Sequence, residues 1–297
     1  KDLDINFFLG IDNNKDNIEN QTDGACARYL NNQKKFHNTL PKALFIWADG
    51  MKPLTSITKN ENSGLDEYNK NILELLWGKK DLTNIIDPKQ RDLWGVCSNG
   101  FDGITSQFVI HYFFKNKLTL ENFIKNISNN LKEGGYFVGT CFDGQSLYND
   151  LKEHKKGEFI SGQIKGRTLW RIEKNYDYNE PILEDSDDTL GLEVDVLIET
   201  INQKLTEYLV NFEYFKRVML ENKMELISDS EAMSLGFPKG STSFSELFTL
   251  MKSEPDSHRY ANALKMTEAE QQLSFYNRYF IFKKNSEITV PIKDTTP

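Results

Sequence analysis

The stretch Phe101-Asp-Gly-Ile-Thr-Ser-Gln-Phe-Val-Ile-His-Tyr112 decides the reading of the fold. Its first half is short, apolar and flanked by Gly100 and Gly103, which suits a buried strand of a parallel sheet; the bulky residues from Val109 to Phe114 then suit a helix. The strand is expected to end near Ser106 and Gln107. In an open α/β sheet the ligand sits outside the carboxyl ends of the strands, so Gln107, His111 and Tyr112 fall where chemistry is expected. A plainer reading competes: a core strand enters an amphipathic helix, and His111 and Tyr112 are hydrogen-bonded inside it.

Outward from this stretch, helix and strand patterns alternate. Residues 7–12 (Phe-Phe-Leu-Gly-Ile-Asp) form an apolar run ending in an acid, and a helical pattern follows from about Asn17 to Leu30. Residues 42–50 read as another strand with Asp49 at its tip, and an amphipathic helix is expected from about Asp66 to Trp77. Beyond Tyr112, the spacing of Leu120, Phe123, Ile124, Ile127 and Leu131 predicts a helix over 118–131, closed at Gly134 and Gly135 and followed by a strand over 136–140. Cys141 to Tyr148 is expected to begin a helix. Residues 158–200 read as a small antiparallel insertion, with strands at 159–163, 168–173 and 192–198 around the acidic loop 180–188. A helix over 212–222, a strand over 224–227, a surface excursion over 228–265 and a closing strand over 276–284 complete the pattern. The tail 285–297 holds few core residues apart from 288–292.

Composition bounds the class. The 297 residues are 38% hydrophobic and 12% aromatic, enough to bury a sizeable core in an α/β domain. A formal net charge of −8 argues against indiscriminate coating of nucleic acid, yet leaves room for a small, locally recognised target. Cys26, Cys97 and Cys141 are widely spaced, with no C-x-x-C pair, which points to a reducing compartment without a disulfide framework or zinc site. No apolar run reaches the length of a membrane helix and no signal peptide opens the chain, so a cytoplasmic setting without membrane is expected.

The wording of the central stretch, F-D-x-x-x-x-Q-F-x-x-H-Y, resembles the segment after the fourth strand of messenger-RNA cap guanine-N7 methyltransferases. Further segments share the resemblance. Asp23-Gly-Ala-Cys-Ala-Arg-Tyr29 is similar to a helix of that family, and L-K-x-G-G-Y-F-x-G-T over 131–140 to a strand approach widespread in methyltransferases of the fold. Lys204 to Phe212 contains the family's E-Y-L-V. The resemblance implies a Rossmann-like class I sheet of the S-adenosylmethionine-dependent methyltransferases. One methyltransferase domain would cover 1–297, with the small antiparallel insertion near the acceptor pocket. The glycine-rich donor loop of the type D-x-G-x-G-x-G-G-D is missing from the sequence, so the first βα unit is expected upstream.

Site residues carry over one at a time. Asp12, an acid at a strand end, is expected to accept hydrogen bonds from the donor's ribose, against the alternative of a helix N-cap. The resemblance sets Asp49 against the donor's adenine, with an Asx turn before Gly50 as its alternative. It also sets Gln107 on the donor, and His111 and Tyr112 on the cap guanine. Phe142 stands where the family commonly places a proline against the guanine ring. Glu207 matches the glutamate on the guanine edge: N1–H and the N2 amino group are adjacent donors that one carboxylate can engage, and adenine offers no such pair. Its alternative is an acid at a helix N-terminus. Tyr276 is the candidate for a last-strand aromatic on the cap, with Asn277 chosen by a one-residue slip. Lys152, His154, Lys155 and Lys156 form the densest basic cluster, read either as a solvated helix end or as a triphosphate or RNA contact.

The implied function is methyl transfer from S-adenosylmethionine to N7 of the 5′ cap guanine of mRNA. Guanine N7 has an exposed lone pair and no proton to lose, so in-line displacement needs neither general base nor metal, and catalysis lies in positioning. The ending N-R-Y-F-I-F-K-K is similar to the carboxyl-terminal methyltransferase domain of large DNA virus capping enzymes, of the African swine fever virus or poxvirus type. That would add upstream triphosphatase and guanylyltransferase domains and a cytoplasmic viral factory or virion. Two alternatives stand beside this reading: a non-catalytic cap- or RNA-binding subunit of the same fold, and a small-molecule methyltransferase.

Overall fold

A computed structural model of the chain describes residues 5–37, 39–54, 67–81, 83, 85, 87–254 and 257–286. Asp66 of the helix expected over 66–77, and the tail from residue 287, lie outside the described residues. The chain forms two compact units, residues 1–100 and 101–297.

In the first unit β1 (Phe7–Asp12) is followed by α1 (Lys15–Glu19), α2 (Ala25–Lys35) and β2 (Lys42–Trp47). The two strands pair in parallel, with Asp12 opposite Trp47. The helix expected over 17–30 is two helices. Asn20 Oδ1 accepts the backbone N–H groups of Thr22 (2.9 Å) and Asp23 (3.3 Å), a local turn that competes with continuing the helix. Farther along, α3 (Glu67–Leu76) buries Leu73, Leu75 and Leu76, and a single turn, α4 (Pro88–Arg91), precedes the second unit.

The second unit opens on β3 (Phe101–Gln107), α5 (Ile110–Phe113), α6 (Lys117–Asn130) and β4 (Leu131–Phe142). Because β3 and β4 pair in parallel across this helical crossover, the unit has the strand–helix–strand element of a Rossmann-like α/β fold. Asn116 caps α6 with Thr119 in a reciprocal pair, its Oδ1 accepting the Thr119 N–H at 3.0 Å. Gly134 does not close the helix as expected. The chain is already extended at Leu131, and Gly134, with φ of +76°, bends an irregular start of β4 where the pairing slips between Phe101 and Gly103.

After β4 come α7 (Gly144–Leu151) and β5 (Phe159–Ile164), β6 (Arg167–Lys174), β7 (Glu193–Ile198) and β8 (Gln203–Tyr208). These strands form a four-stranded antiparallel sheet in sequence order. The fourth of them, which carries Glu207, goes beyond the three strands read from the sequence. The rest of the unit holds α8 (Phe212–Glu221), β9 (Met224–Leu226), α9 (Asp229–Ser234), β10 (Ser241–Ser243), α10 (Phe244–Ser253), α11 (Ala261–Leu264), α12 (Glu268–Phe275) and β11 (Asn277–Lys284). The main sheet runs β10-β11-β4-β3, with β9 also on β11, so residues 228–265 contribute a strand to it. The closing strand begins at Asn277, and Tyr276 is the last residue of the turn before it.

Apolar clusters hold this unit together. Phe137, Phe215, Phe280 and Phe282 are fully buried with interlocking rings, Phe137 and Phe280 having centroids 5.4 Å apart. In another cluster the inner face of the antiparallel sheet (Trp170, Ile172, Val194, Val196) packs on Leu147 and Leu151 of α7. Each such side chain stabilises the fold by roughly 1.5–3 kcal/mol. Trp170 Nε1 also donates to the carbonyl of Ala269 at 2.7 Å, which ties α12 to the same sheet.

Candidate functional site

The carboxyl end of β3 is where the chain changes direction. Gln107 lies there with its Nε2 donating to Thr105 Oγ1 (2.6 Å) and its Oε1 accepting from Thr140 Oγ1 (2.9 Å) on the neighbouring strand. Phe108 follows with φ of +53°, a left-handed conformation uncommon outside glycine, held by its N–H donating to both the carbonyl and the hydroxyl of Thr140. The residue is half exposed. Strain of this kind concentrates at working sites, and sequence reasoning passed Phe108 over because the amino-acid code does not display φ.

The turn delivers His111 and Tyr112 on α5 to Glu207 on β8. Tyr112 donates its hydroxyl to Glu207 Oε1 at 3.4 Å, and His111 Nε2 lies 3.5 Å from Glu207 Oε2. The His111 ring meets Tyr112 edge-on at 4.4 Å and Phe142 at 5.2 Å and 31°. Four residues singled out from three separate segments thus share one largely buried cluster. Just past Phe142, the Gly144 N–H donates to the carbonyl of Val210 at 3.0 Å, and a Cβ there would stand 2.3 Å from that oxygen.

Electrostatics make the cluster unusual. His111 is 4% exposed and Glu207 6% exposed, so both are nearly out of water. Burial pushes the Glu207 carboxyl up to about 7, with the Tyr112 hydrogen bond only partly opposing it. Burial pushes His111 down to about 3 and, with the Glu207 charge, pushes Tyr112 up to about 12. His111 is therefore neutral at physiological pH, and its contact with Glu207 is not an ion pair there. Among the described residues, both His111 ring nitrogens and Glu207 Oε2 lack a hydrogen-bond partner. Each unsatisfied buried polar atom costs about 1–3 kcal/mol, which a ligand of complementary pattern recovers on binding.

Asp12 and Asp49, in the first unit, lie at the carboxyl ends of the adjacent parallel strands. Asp12 accepts from Asn14 N (2.8 Å) and Asn17 Nδ2 (3.2 Å), while Asn14 is the cap of α1. Asp49 accepts from Met51 N at 2.9 Å in an Asx turn. Tyr276 is buried, its ring edge-on to Trp170 at 6.0 Å and its hydroxyl donating to Asp150 at 2.5 Å; it shares a core with Phe142 but makes no ring contact to His111. Asn277, opposite Phe142 in the sheet, donates to the carbonyls of Leu273 and Ser274 at the end of α12. Lys152, Lys155 and Lys156 are exposed just past α7, Lys156 facing Asp177 at 3.5 Å.

Asp143 is a second residue the sequence reading missed. It caps α7 by accepting from Ser146 N at 3.2 Å, gives its own N–H to the Tyr276 carbonyl at 2.7 Å, and faces Arg278 at 3.7 Å. Arg278 in turn lies 3.9 Å over the Phe212 ring. This group holds the chain immediately after Phe142. The Asp-x-x-Ser spacing was the available signal.

Comparison with known proteins identifies the family of the chain. The family model described as mRNA (guanine-N(7))-methyltransferase domain matches residues 3–285. A probable mRNA-capping enzyme of Acanthamoeba polyphaga mimivirus is 25% identical over 310 residues, covering 96% of this chain and 24% of that protein. The mRNA cap guanine-N(7) methyltransferase of Aspergillus niger is 28% identical over 133 residues, covering 45% of this chain and 20% of its own length. The chain thus spans a quarter or less of these curated relatives. Among solved structures, an S-adenosylmethionine-dependent methyltransferase from Clostridium acetobutylicum aligns over 93% of this chain and 74% of its own, at 10% identity and a TM-score of 0.40. Among the described residues no helix is long and apolar enough to cross a membrane.

Proposed function

Since this chain belongs to the mRNA (guanine-N(7))-methyltransferase domain family, we propose that it methylates N7 of the guanine that caps the 5′ end of messenger RNA, with S-adenosylmethionine as donor. The observation that carries the reading is the buried Glu207–His111–Tyr112 cluster with its unsatisfied Oε2 and imidazole nitrogens. Guanine matches it atom for atom along one edge. Its N1–H and N2 amino group are adjacent donors for the Glu207 carboxylate, and O6 beside them accepts from a neutral imidazole N–H. Adenine would set a lone pair against a buried carboxylate and leave the charge unpaired. Sites of this kind reject the wrong partner by roughly 10⁴-fold or more.

The bound donor supplies an electrophilic methyl group on a sulfonium centre. Everything else falls to positioning. Glu207 and His111 fix the guanine edge, Phe142 limits the tilt of the plane through its contact with His111, and Gln107 is assigned to the donor side at the end of β3. Holding N7 in line in this way is worth several powers of ten without any proton transfer. In the first unit Asp12 and Asp49 fit the donor's ribose and adenine in kind. A carboxylate has about four acceptor sites, and Asp12 spends two on Asn14 and Asn17.

The mimivirus relative, of which this chain matches 24%, supports a further part of the proposal: the domain works beside triphosphatase and guanylyltransferase domains of a capping enzyme, in the cytoplasm of a virus-infected cell. The direct test is transfer of labelled methyl to GpppA-ended RNA. Glu207→Ala removes two hydrogen bonds to a charged group, at about 1.5–3 kcal/mol each, so kcat/KM should fall by about 100-fold or more. Methylation unaffected by this change, or absent from every capped acceptor, would refute the assignment.

A further inference from the structure

A groove of about 510 Å³ runs between α7 and α12, away from the His111–Glu207 contact and beginning at Tyr276. From α7 it is lined by Ser146, Asn149 and Asp150, and from α12 by Glu268, Gln271 and Gln272, with ring surface from Phe275. No lysine or arginine is among the lining residues, and two are carboxylates. This composition disfavours phosphate. Carboxamides instead carry a donor pair and an acceptor on one plane, the pattern that reads a nucleobase edge, and an adjacent ring gives the base a face to lie on. Asn149 Oδ1 already accepts from Gln145 Nε2 (2.9 Å) and Gln271 Nε2 donates to the Met266 carbonyl (2.9 Å), which leaves the Asn149 amino group, and the Gln271 oxygen with one N–H, to meet a base.

The position of the groove matters as much as its lining. Phe142 lies two residues before α7, Asn149 and Asp150 lie on its last turn, and the exposed Lys152 and Lys155 follow its end. An eight-residue helix is about 12 Å long. One helix therefore presents in succession an aromatic of the guanine cluster, a polar groove free of cations, and ammonium groups. We propose that the α7–α12 groove binds the nucleoside that follows the cap, its base read by Asn149, Gln271 and Gln272, with Lys152 and Lys155 meeting the next backbone phosphate. This inference rests on the cap-methyltransferase reading and adds to it a subsite for the first transcribed nucleotide.

The test compares methyl transfer to GTP, which has the guanine and triphosphate alone, with transfer to GpppA. The quantity read is the ratio of their kcat/KM values, from which any unfolded fraction of a preparation cancels. Wild-type protein should favour GpppA by about tenfold or more, because two or three neutral hydrogen bonds are gained. The double variant Asn149→Ala/Gln271→Ala should bring the ratio close to one. Lys152→Ala should leave the ratio in place and lower the salt sensitivity of methylation only on longer GpppA-ended RNA. A wild-type ratio near one, or a ratio unmoved by the double variant, would overturn the subsite while methylation of GTP kept the cap reading intact. If neither GTP nor GpppA accepts methyl, the cap reading fails and the subsite with it.

Discussion

If guanine is read by an ionised Glu207, the protein must give up a proton to bind it near neutral pH. The carboxyl is held at about 7 because it sits in a cluster from which water is excluded, among His111 and Tyr112 of α5 and the Phe142 ring. With that value about a tenth of the molecules are ionised at pH 6 and about nine tenths at pH 8, so affinity for the cap should rise about tenfold across the window. The same limb should appear in kcat/KM, which reports groups of the free enzyme. Titration calorimetry with GpppA from pH 6 to 8 measures it twice, as affinity and as proton release through the dependence of the binding heat on buffer. In Glu207→Gln the limb should vanish and affinity should be low throughout. A flat profile in the wild type, or a limb that survives in the variant, would show that Glu207 is not the group being read.

The same burial has an opposite face in stability. Glu207 has its carboxyl raised on folding from an ordinary 4.5 to about 7, so it contributes stability that is present below pH 4.5 and lost as pH rises to 7. His111, depressed from 6.5 to about 3, contributes stability that is present above pH 6.5 and lost as pH falls. Between roughly pH 4.5 and 6.5 the two nearly cancel in the wild type.

Further expectations follow from single contacts. Glu207→Gln should stabilise the ligand-free protein at pH 8, by at most about 3 kcal/mol, since a costly buried charge is removed, and chemical denaturation would register it. Gly144→Ala should lower stability by about 1–3 kcal/mol, because a Cβ 2.3 Å from the Val210 carbonyl forces α7 outward; an unchanged melting temperature would contradict the close approach. Asp143→Ala should cost about 1 kcal/mol as a lost helix cap and raise KM for GpppA, as Phe142 loses its anchor. Asp12→Ala and Asp49→Ala should each raise KM for S-adenosylmethionine about tenfold with little change in KM for the cap, a split visible in steady-state kinetics.

Legibility in the sequence followed the range of the forces involved. The strand ending at Gln107 and the helix carrying His111 and Tyr112 were readable because apolar runs and local spacing express short-range preferences. Gly134 was misread for a related reason: glycine after a helical pattern signals a cap, whereas here pairing of Leu131 with Phe101 had already drawn the chain into the sheet. Tertiary pairing outweighed the local signal. The division of the first helix could have been seen in Asn20, whose side chain competes for the backbone of residues 22 and 23.

For the site, residue types were readable and their electrical state was not. Glu207 and Tyr112 are 95 positions apart, and only the packing of β8 against α5 brings them together. Whether the carboxyl is charged depends on how much water that packing leaves, and its last determinants are remote in sequence: the fully buried Val194 opposite it in the sheet, and Gly144 closing on Val210. A motif can thus name an acid as a candidate guanine reader without indicating that burial raises its carboxyl to about 7. That property belongs to the fold, and on the proposed reading it sets a proton and a nucleobase in contest for the same oxygen atoms.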